Sequence, residues 1–285
     1  MRALVLAVLL VLVPAAAAAE INMADSIEWT TVDSDLVVRG KVTAVKTRRG
    51  PGGVVWYDAT FAVAETLKGP RRRSVTFAVR HLWGPTPAEW RAKRRELLLF
   101  LVDSKRRLGE DADYARAPFA LRPHDGAVLA LDGASPDRAY AATFDVLDTR
   151  ARILDAARAA ATSTATSSHR LDVPSDAPAF GALYAGSAVW MTVPVDARLE
   201  QLALAWIASK DLGTREEGVG ALAHFRSPAN IAVVKRLLAD PDFAVVTESG
   251  KSPVRRFLVR SRAHQVLDAW GVRHATPTID APHTP

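Results

Sequence analysis

Apolar and polar residues alternate with a period of two over residues 36–47: Val38, Gly40, Val42 and Ala44 fall on one face, Arg39, Lys41 and Thr43 on the other. That period marks a half-buried strand. Gly40 inside it predicts a bulge or sharp bend. Gly50-Pro51-Gly52-Gly53 is a turn signal. A second strand is expected from Val54 to Leu67, with Tyr57, Ala59, Phe61 and Val63 sharing a face, and a third over Val75–Val79. Residues 85–93 predict a short helix with Pro87 in its first turn. Glu96–Val102 is apolar on both faces and is expected to be the best-covered strand. Two short strands, Phe119–Arg122 and Ala127–Leu131, are expected on either side of a turn at His124-Asp125-Gly126.

Beyond residue 145 the period lengthens to that of helices. Residues 145–160 predict a helix with Val146, Ile153, Leu154 and Ala157 as its apolar positions. Thr162–Ser168 is a Ser/Thr/Ala loop, and Ser187–Val195 predicts one more strand. Asp196 then caps a helix carrying Leu199, Leu202, Ala203, Trp206 and Ile207. Thr214 and Glu217 have capping-box spacing for a second. Ser227-Pro228 and Ser252-Pro253 each read as a helix start, and Gly271 as the end of the last helix. The Pro/Thr/Ala-rich residues after Arg273 are expected to be disordered.

The first residues change the picture of where the chain works. Met1-Arg2, the apolar run Ala3–Val13, Pro14 and the alanines 15–19 have the three parts of a signal peptide. The alternative is an uncleaved anchor, but Pro14 interrupts the run and a span needs about 20 apolar residues. No later segment is long and apolar enough to span a bilayer, so the expectation is an exported protein, periplasmic or extracellular. Without cysteine, disulfides, thiolate catalysis and zinc–thiolate sites are excluded. Of a net charge of +6, residues 33–107 hold far more than their share, with 17 Lys/Arg against 7 Asp/Glu. A basic module is suited to polyanions such as nucleic acid, anionic polysaccharide or lipid headgroups.

Two resemblances follow. Ser34-Asp35-Leu36-Val37-Val38-Arg39-Gly40-Lys41-Val42, then Phe61–Gly69 ending Glu65-Thr66-Leu67-Lys68-Gly69, then Glu96–Leu101, resemble the bacterial members of the netrin/TIMP-like OB-fold group. The resemblance covers residues 30–135 and implies an antiparallel β-barrel with a binding face. Inhibitors of that group chelate a protease metal through an N-terminal cysteine, which this chain lacks. Arg215–Leu222, Leu237–Pro241 and Val259–Leu267 are similar to HEAT-like repeats, which implies a short helical module that binds partners. The expected class is α+β: signal peptide 1–19, OB-like barrel 30–135, a linker 136–195 with a helix, a Ser/Thr-rich loop and a strand, HEAT-like module 196–272, and tail 273–285.

The search for chemistry returns no catalytic signature: no Gly-x-Ser-x-Gly elbow, no phosphate loop, no dinucleotide fingerprint and no histidine pair at helical ligand spacing. No metal or other cofactor is expected. The candidate binding residues are basic: Arg71, Arg72 and Arg73, then Arg91, Lys93, Arg94 and Arg95, with Trp83 and Trp90 as neighbouring rings. Such a set suits an anionic polymer; the competing reading is solvated loops that guard strand ends. The functional expectation is an exported, non-enzymatic scaffold that binds a protein partner. Polyanion binding by the barrel and an enzyme with an unrecognised site are the alternatives.

Overall fold

A computed structural model describes residues 21–80, 84–123, 126–133, 136–184, 188–247 and 252–283. The segment read as a signal peptide, together with His81, Trp83, His124 and Asp125, lies outside the described residues. The chain begins with β1 (Ile21–Asp25) and α1 (Ile27–Val32), the latter capped by the Ser26 hydroxyl, which accepts from Trp29 N. Neither element was expected: β1 is too short to show a period, and α1 carries polar residues, Glu28, Thr30 and Thr31, at buried positions.

The alternating segments then form a closed barrel. Its strands are β2 (Leu36–Arg49), β3 (Val55–Lys68), β4 (Ser74–Arg80), β5 (Leu97–Asp103) and β6 (Phe119–Leu121), with α2 (Pro87–Ala92) between β4 and β5. The pairing runs β2-β3-β4-β6-β5 and returns to β2. All contacts in this ring are antiparallel except β4 with β6, which is parallel, Phe77 opposite Phe119. A short strand β7 (Val128–Ala130) adds to β5 beside β6. Leu36, Val38, Val42, Ala59, Phe61, Phe77, Leu97, Leu99 and Leu101 fill the interior.

Leu97–Val102 is buried at every position, as its unbroken apolar run requires. Leu98 and Phe100 point outward, where they meet Ile27 of α1 and Ile153 and Leu154 of α3 (Arg150–Ala160). Between β7 and α3 lies a two-residue hairpin, β8 (Ala139–Tyr140) with β9 (Val146–Leu147). Arg39 on β2 bonds Glu65 at 3.0 Å and Glu96; Arg150 grips Glu96 at 3.1 Å and Arg158 grips Glu65 at 3.0 Å. These five charges clamp α3 to the barrel wall. The hydrogen bond from Arg158 holds the Glu65 carboxyl below its ordinary range, and that from Arg150 does the same for Glu96.

The second half has its own core. β10 (Ser168–Asp172), α4 (Pro178–Leu183) and β11 (Ala188–Pro194) precede four helices, α5 (Ala197–Ile207), α6 (Leu212–Leu222), α7 (Pro228–Leu237) and, after β12 (Ala244–Val246) and β13 (Val254–Arg256), α8 (Leu258–Ala269). Leu171, Val189, Met191 and Val193 from the strands pack with Leu199, Val219, Leu222, Val234, Val259 and Leu267 from the helices. β11 sits between β10 and β1, and it pairs with β1 in parallel, Ala24 opposite Met191. The N-terminal strand therefore belongs to the sheet of the far half.

Three local expectations change. Asp211, not Thr214, caps α6: both the backbone N–H and the hydroxyl of Thr214 donate to Asp211 Oδ1 at 2.7 Å, and Glu217 is drawn instead to Asp172 N. Ser252-Pro253 does not open α8, because Val254–Arg256 is held in strand pairing by β12 on one side and β14 (Asp280–Pro282) on the other. The tail read as disordered thus returns to the sheet as β14. Among the described residues no helix is long and apolar enough to cross a membrane.

Gly40 lies where the β2–β3 register shifts, and a Cβ built there stands 2.0 Å from the carbonyl oxygen of Ala62. Relief requires movement of backbone, so Gly40→Ala is expected to lower stability by about 3 kcal/mol. A urea midpoint equal to that of the unsubstituted chain would show instead that β3 can yield at no cost.

Candidate functional site

A cavity opens in the barrel where β4 ends. Val79 and Arg80 close that strand, Pro87 and Trp90 of α2 cover one side, Leu121 and Arg122 leave β6, and Val128 begins β7. Tyr57, Arg107, Tyr114 and Asp137 complete the rim of a cavity of about 520 Å³, within the range of small-ligand sites. Trp90, half-buried, packs from the helix against the barrel core.

The charged groups of this cavity differ in what they are bound to. Arg122 is spent: it is 2% exposed and donates to Asp25 at 2.6 Å and Asp33 at 2.8 Å. Arg107 lies 4.5 Å over the Tyr114 ring, donates to the Leu121 carbonyl at 2.7 Å and pairs with Glu110. Asp137 accepts from Ala130 N at 2.8 Å. Arg80 has no hydrogen-bond or ion-pair partner among the described residues, and its Nε is buried. Tyr114, edge-on to Trp56 at 4.8 Å, has a hydroxyl pushed up by burial and keeps its proton at neutral pH. Among the described lining residues Arg80 is thus the guanidinium with no acid partner, beside the rings of Tyr57, Trp90 and Tyr114, and Asp137 is the carboxylate. A guanidinium next to ring faces is chemistry suited to an anion on a flat group.

The seven basic residues named from the sequence lie on two segments, before β4 and at the end of α2. Arg71, Arg72 and Arg73 form the exposed turn before β4, where Arg72 lies over Phe119 at 5.3 Å. Arg91, Lys93 and Arg94 are exposed at the end of α2. Arg95 is held by Asp132 at 2.6 Å. Arg80 carries little signal in the sequence beyond closing the strand Ser-Val-Thr-Phe-Ala-Val-Arg.

Four of the seven histidines, unpaired in sequence, pair in space. His224, just past α6, places Nε2 3.0 Å from Nδ1 of His169 on β10. His264, Asp268 and His274 gather at the end of α8. Burial, with the neighbouring His224 and Arg262 adding to it, lowers His169 to about 4. Burial also lowers His224.

A histidine whose folded pKa lies below its unfolded value of about 6.5 contributes stability that is complete above that pH and lost as pH falls toward 4. With partial solvent screening the loss is about 1–2 kcal/mol. Urea unfolding at pH 7 and pH 4.5 is therefore expected to show a smaller pH-dependent loss for His169→Gln than for the unsubstituted chain. Equal losses in the two proteins would place the acid sensitivity elsewhere. Comparison of this chain with protein-family models, with curated proteins and with solved structures finds no match, so the reading of this cavity rests on its own residues.

Proposed function

We propose that this chain is an exported, non-enzymatic binding protein, an OB-type barrel joined to a HEAT-like helical module, and that the barrel cavity takes the anionic group of a glycan. The five-strand ring with its one parallel contact supports the OB reading. The packing of α5 on α6 and of α7 on α8 supports the helical-repeat reading. The single observation that carries the function is Arg80: a cation without an acid partner among the described residues, beside three aromatic rings, in a cavity of about 520 Å³. The exposed Arg71, Arg72 and Arg73 and the exposed Arg91, Lys93 and Arg94 are not among the described lining residues of this cavity. A pocket for one acidic unit of a chain fits better than a groove.

The test uses sulfated and uronate-containing oligosaccharides, with single-stranded DNA as the competing polyanion. Glycan binding is expected to weaken with salt and to fall at least about tenfold in Arg80→Ala, the loss of one charge-assisted contact. Replacing Arg71, Arg72 and Arg73 with serine should change it little. Binding indifferent to Arg80→Ala removes the cavity from the account, and preference for DNA moves the ligand class to nucleic acid.

A protein partner is the second reading, favoured by Phe243 and Val245, 38% and 50% exposed beside β12 at the edge of its three-stranded sheet. Edge strands accept a further strand from a partner. Under this reading, Val245→Pro abolishes partner binding and leaves glycan binding intact.

A further inference from the structure

Helix α8 ends in a Schellman motif. Val272 N–H donates to the Leu267 carbonyl and Gly271 N–H to that of Asp268, both at 2.9 Å, and Gly271 takes the left-handed φ of 67° that the motif requires. The chain thereby doubles back over the last turn of the helix and sets His274 against it. His264 and Asp268 lie one turn apart on α8, so their side chains share a face. Three donor groups from two separate backbone directions converge: the ligand atoms of His264, Asp268 and His274 all lie within 4.8 Å of one another.

The hydrogen bonds around these rings set which nitrogen carries a proton. His274, whose side chain is 5% exposed, places Nδ1 2.8 Å from the Val272 carbonyl oxygen. A carbonyl only accepts, so Nδ1 holds the hydrogen and Nε2 is left with its lone pair. That Nε2 points at Nδ1 of His264 at 2.6 Å, with Asp268 Oδ1 3.7 Å away. The far nitrogen of His264, Nε2, faces Asp268 Oδ2 at 3.5 Å. His274 thus has Nδ1 turned to a backbone carbonyl and Nε2 turned toward His264 and Asp268, while His264 meets the same carboxylate through its other nitrogen. A carbonyl outside the cluster that fixes the tautomer is the usual second partner of a metal-binding histidine.

The geometry points to a binding site for one divalent late first-row transition-metal ion, with Zn²⁺ the best fit, held by His264 Nδ1, His274 Nε2 and Asp268 Oδ1. Two nitrogens and one carboxylate oxygen suit Zn²⁺; Ca²⁺ and Mg²⁺ demand mostly oxygen ligands, and Cu(I) favours sulfur. Nitrogens bound to a tetrahedral ion at about 2.05 Å stand about 3.3 Å apart, so the two rings separate by less than an ångström to admit it. His264 and Asp268 are 23% and 61% exposed and have room to give way. The fourth position faces solvent on the Asp268 side and takes water. The ion fastens the last turn of α8 to the chain that returns as β14, a link of ten residues from His264 to His274.

The test is a titration of the full chain, carrying no histidine tag and stripped of metal with a chelator, with Zn²⁺ followed by calorimetry and with Co²⁺ followed by visible absorption. Tight binding of one ion per chain is expected, with the intense visible band of four-coordinate Co²⁺ and a Zn²⁺-dependent rise in the thermal midpoint. Asp268→Asn, at an exposed position that leaves the fold intact, should weaken binding at least about tenfold, and His264→Ala should remove the Co²⁺ band. Absence of binding by the unsubstituted chain overturns the proposal. So does binding that survives both Asp268→Asn and His264→Ala with unchanged affinity, since the ion then sits elsewhere.

Discussion

The guanidinium of Arg122 is the joint on which both halves of this molecule depend. It is almost without solvent, and its counter-charges come from Asp25 and Asp33, 97 and 89 residues away in sequence. Bringing a cation into such a place costs several kcal/mol, repaid only when partners are held in good geometry. Here the partners flank α1, so the pairing fixes the whole of residues 25–33 against the barrel mouth. Asp25 is also the last residue of β1, which is a strand of the other half's sheet. One buried ion triad therefore sets the barrel, α1 and the β10–β11 sheet in a single register. Glu28 reinforces it, accepting from Ala142 N at 2.9 Å inside the same joint, where burial raises its pKa.

The same triad decides the electrostatics of the cavity. Arg122 lines that space but presents no free charge to it, because two aspartates are committed to it. Arg107 is committed to Glu110 and to a carbonyl. Charge composition alone gives residues 33–107 a large positive excess, yet much of that excess is absorbed by structure. Arg39, Arg48, Arg95 and Arg106 all sit in ion pairs. Among the described residues Arg80 differs from these: it lines the cavity and has no ion-pair partner there.

The legible part of the fold is the part where one period dominates. Alternation locates β2, β3 and β4 within a residue or two, and the unbroken apolar run of β5 signals its two covered faces. Asp196, Ser227 and Gly271 mark helix ends by local chemistry alone, and each performs the role its type suggests. The misread positions are those where a distant partner overrides a local signal. Thr214 has the right spacing to cap, but Asp211 lies three residues earlier with a stronger acceptor. Ser252-Pro253 has the right start signal, but two neighbouring strands claim the residues that follow it. β1 has no local signal, because its partner β11 is more than 160 residues away. The cavity cation and the histidine cluster were hidden for the same reason: their meaning lies in what the fold places opposite them.

A chain without cysteine must make its long-range fastenings from other chemistry, and the pattern here is consistent. Arg122 ties the first residues to the barrel, Arg150 and Arg158 tie α3 to Glu96 and Glu65, and Arg215 ties the start of α6 to Asp240 and Asp242 after α7. Each fastening uses a planar cation with several donors, which can meet carboxylates and carbonyls at once; Arg215 also donates to the carbonyls of Ser209 and Lys210. Lysine, a single point charge on a flexible stem, lacks that reach. The far end of the chain keeps to this scheme: Arg256 pairs with Asp280 of the returning strand at 3.1 Å, and Arg255 Nε donates to the Pro282 carbonyl at 3.2 Å. Beside these guanidinium contacts His264, Asp268 and His274 gather where the chain leaves α8, so that end adds imidazole groups to the planar cations that fasten the rest.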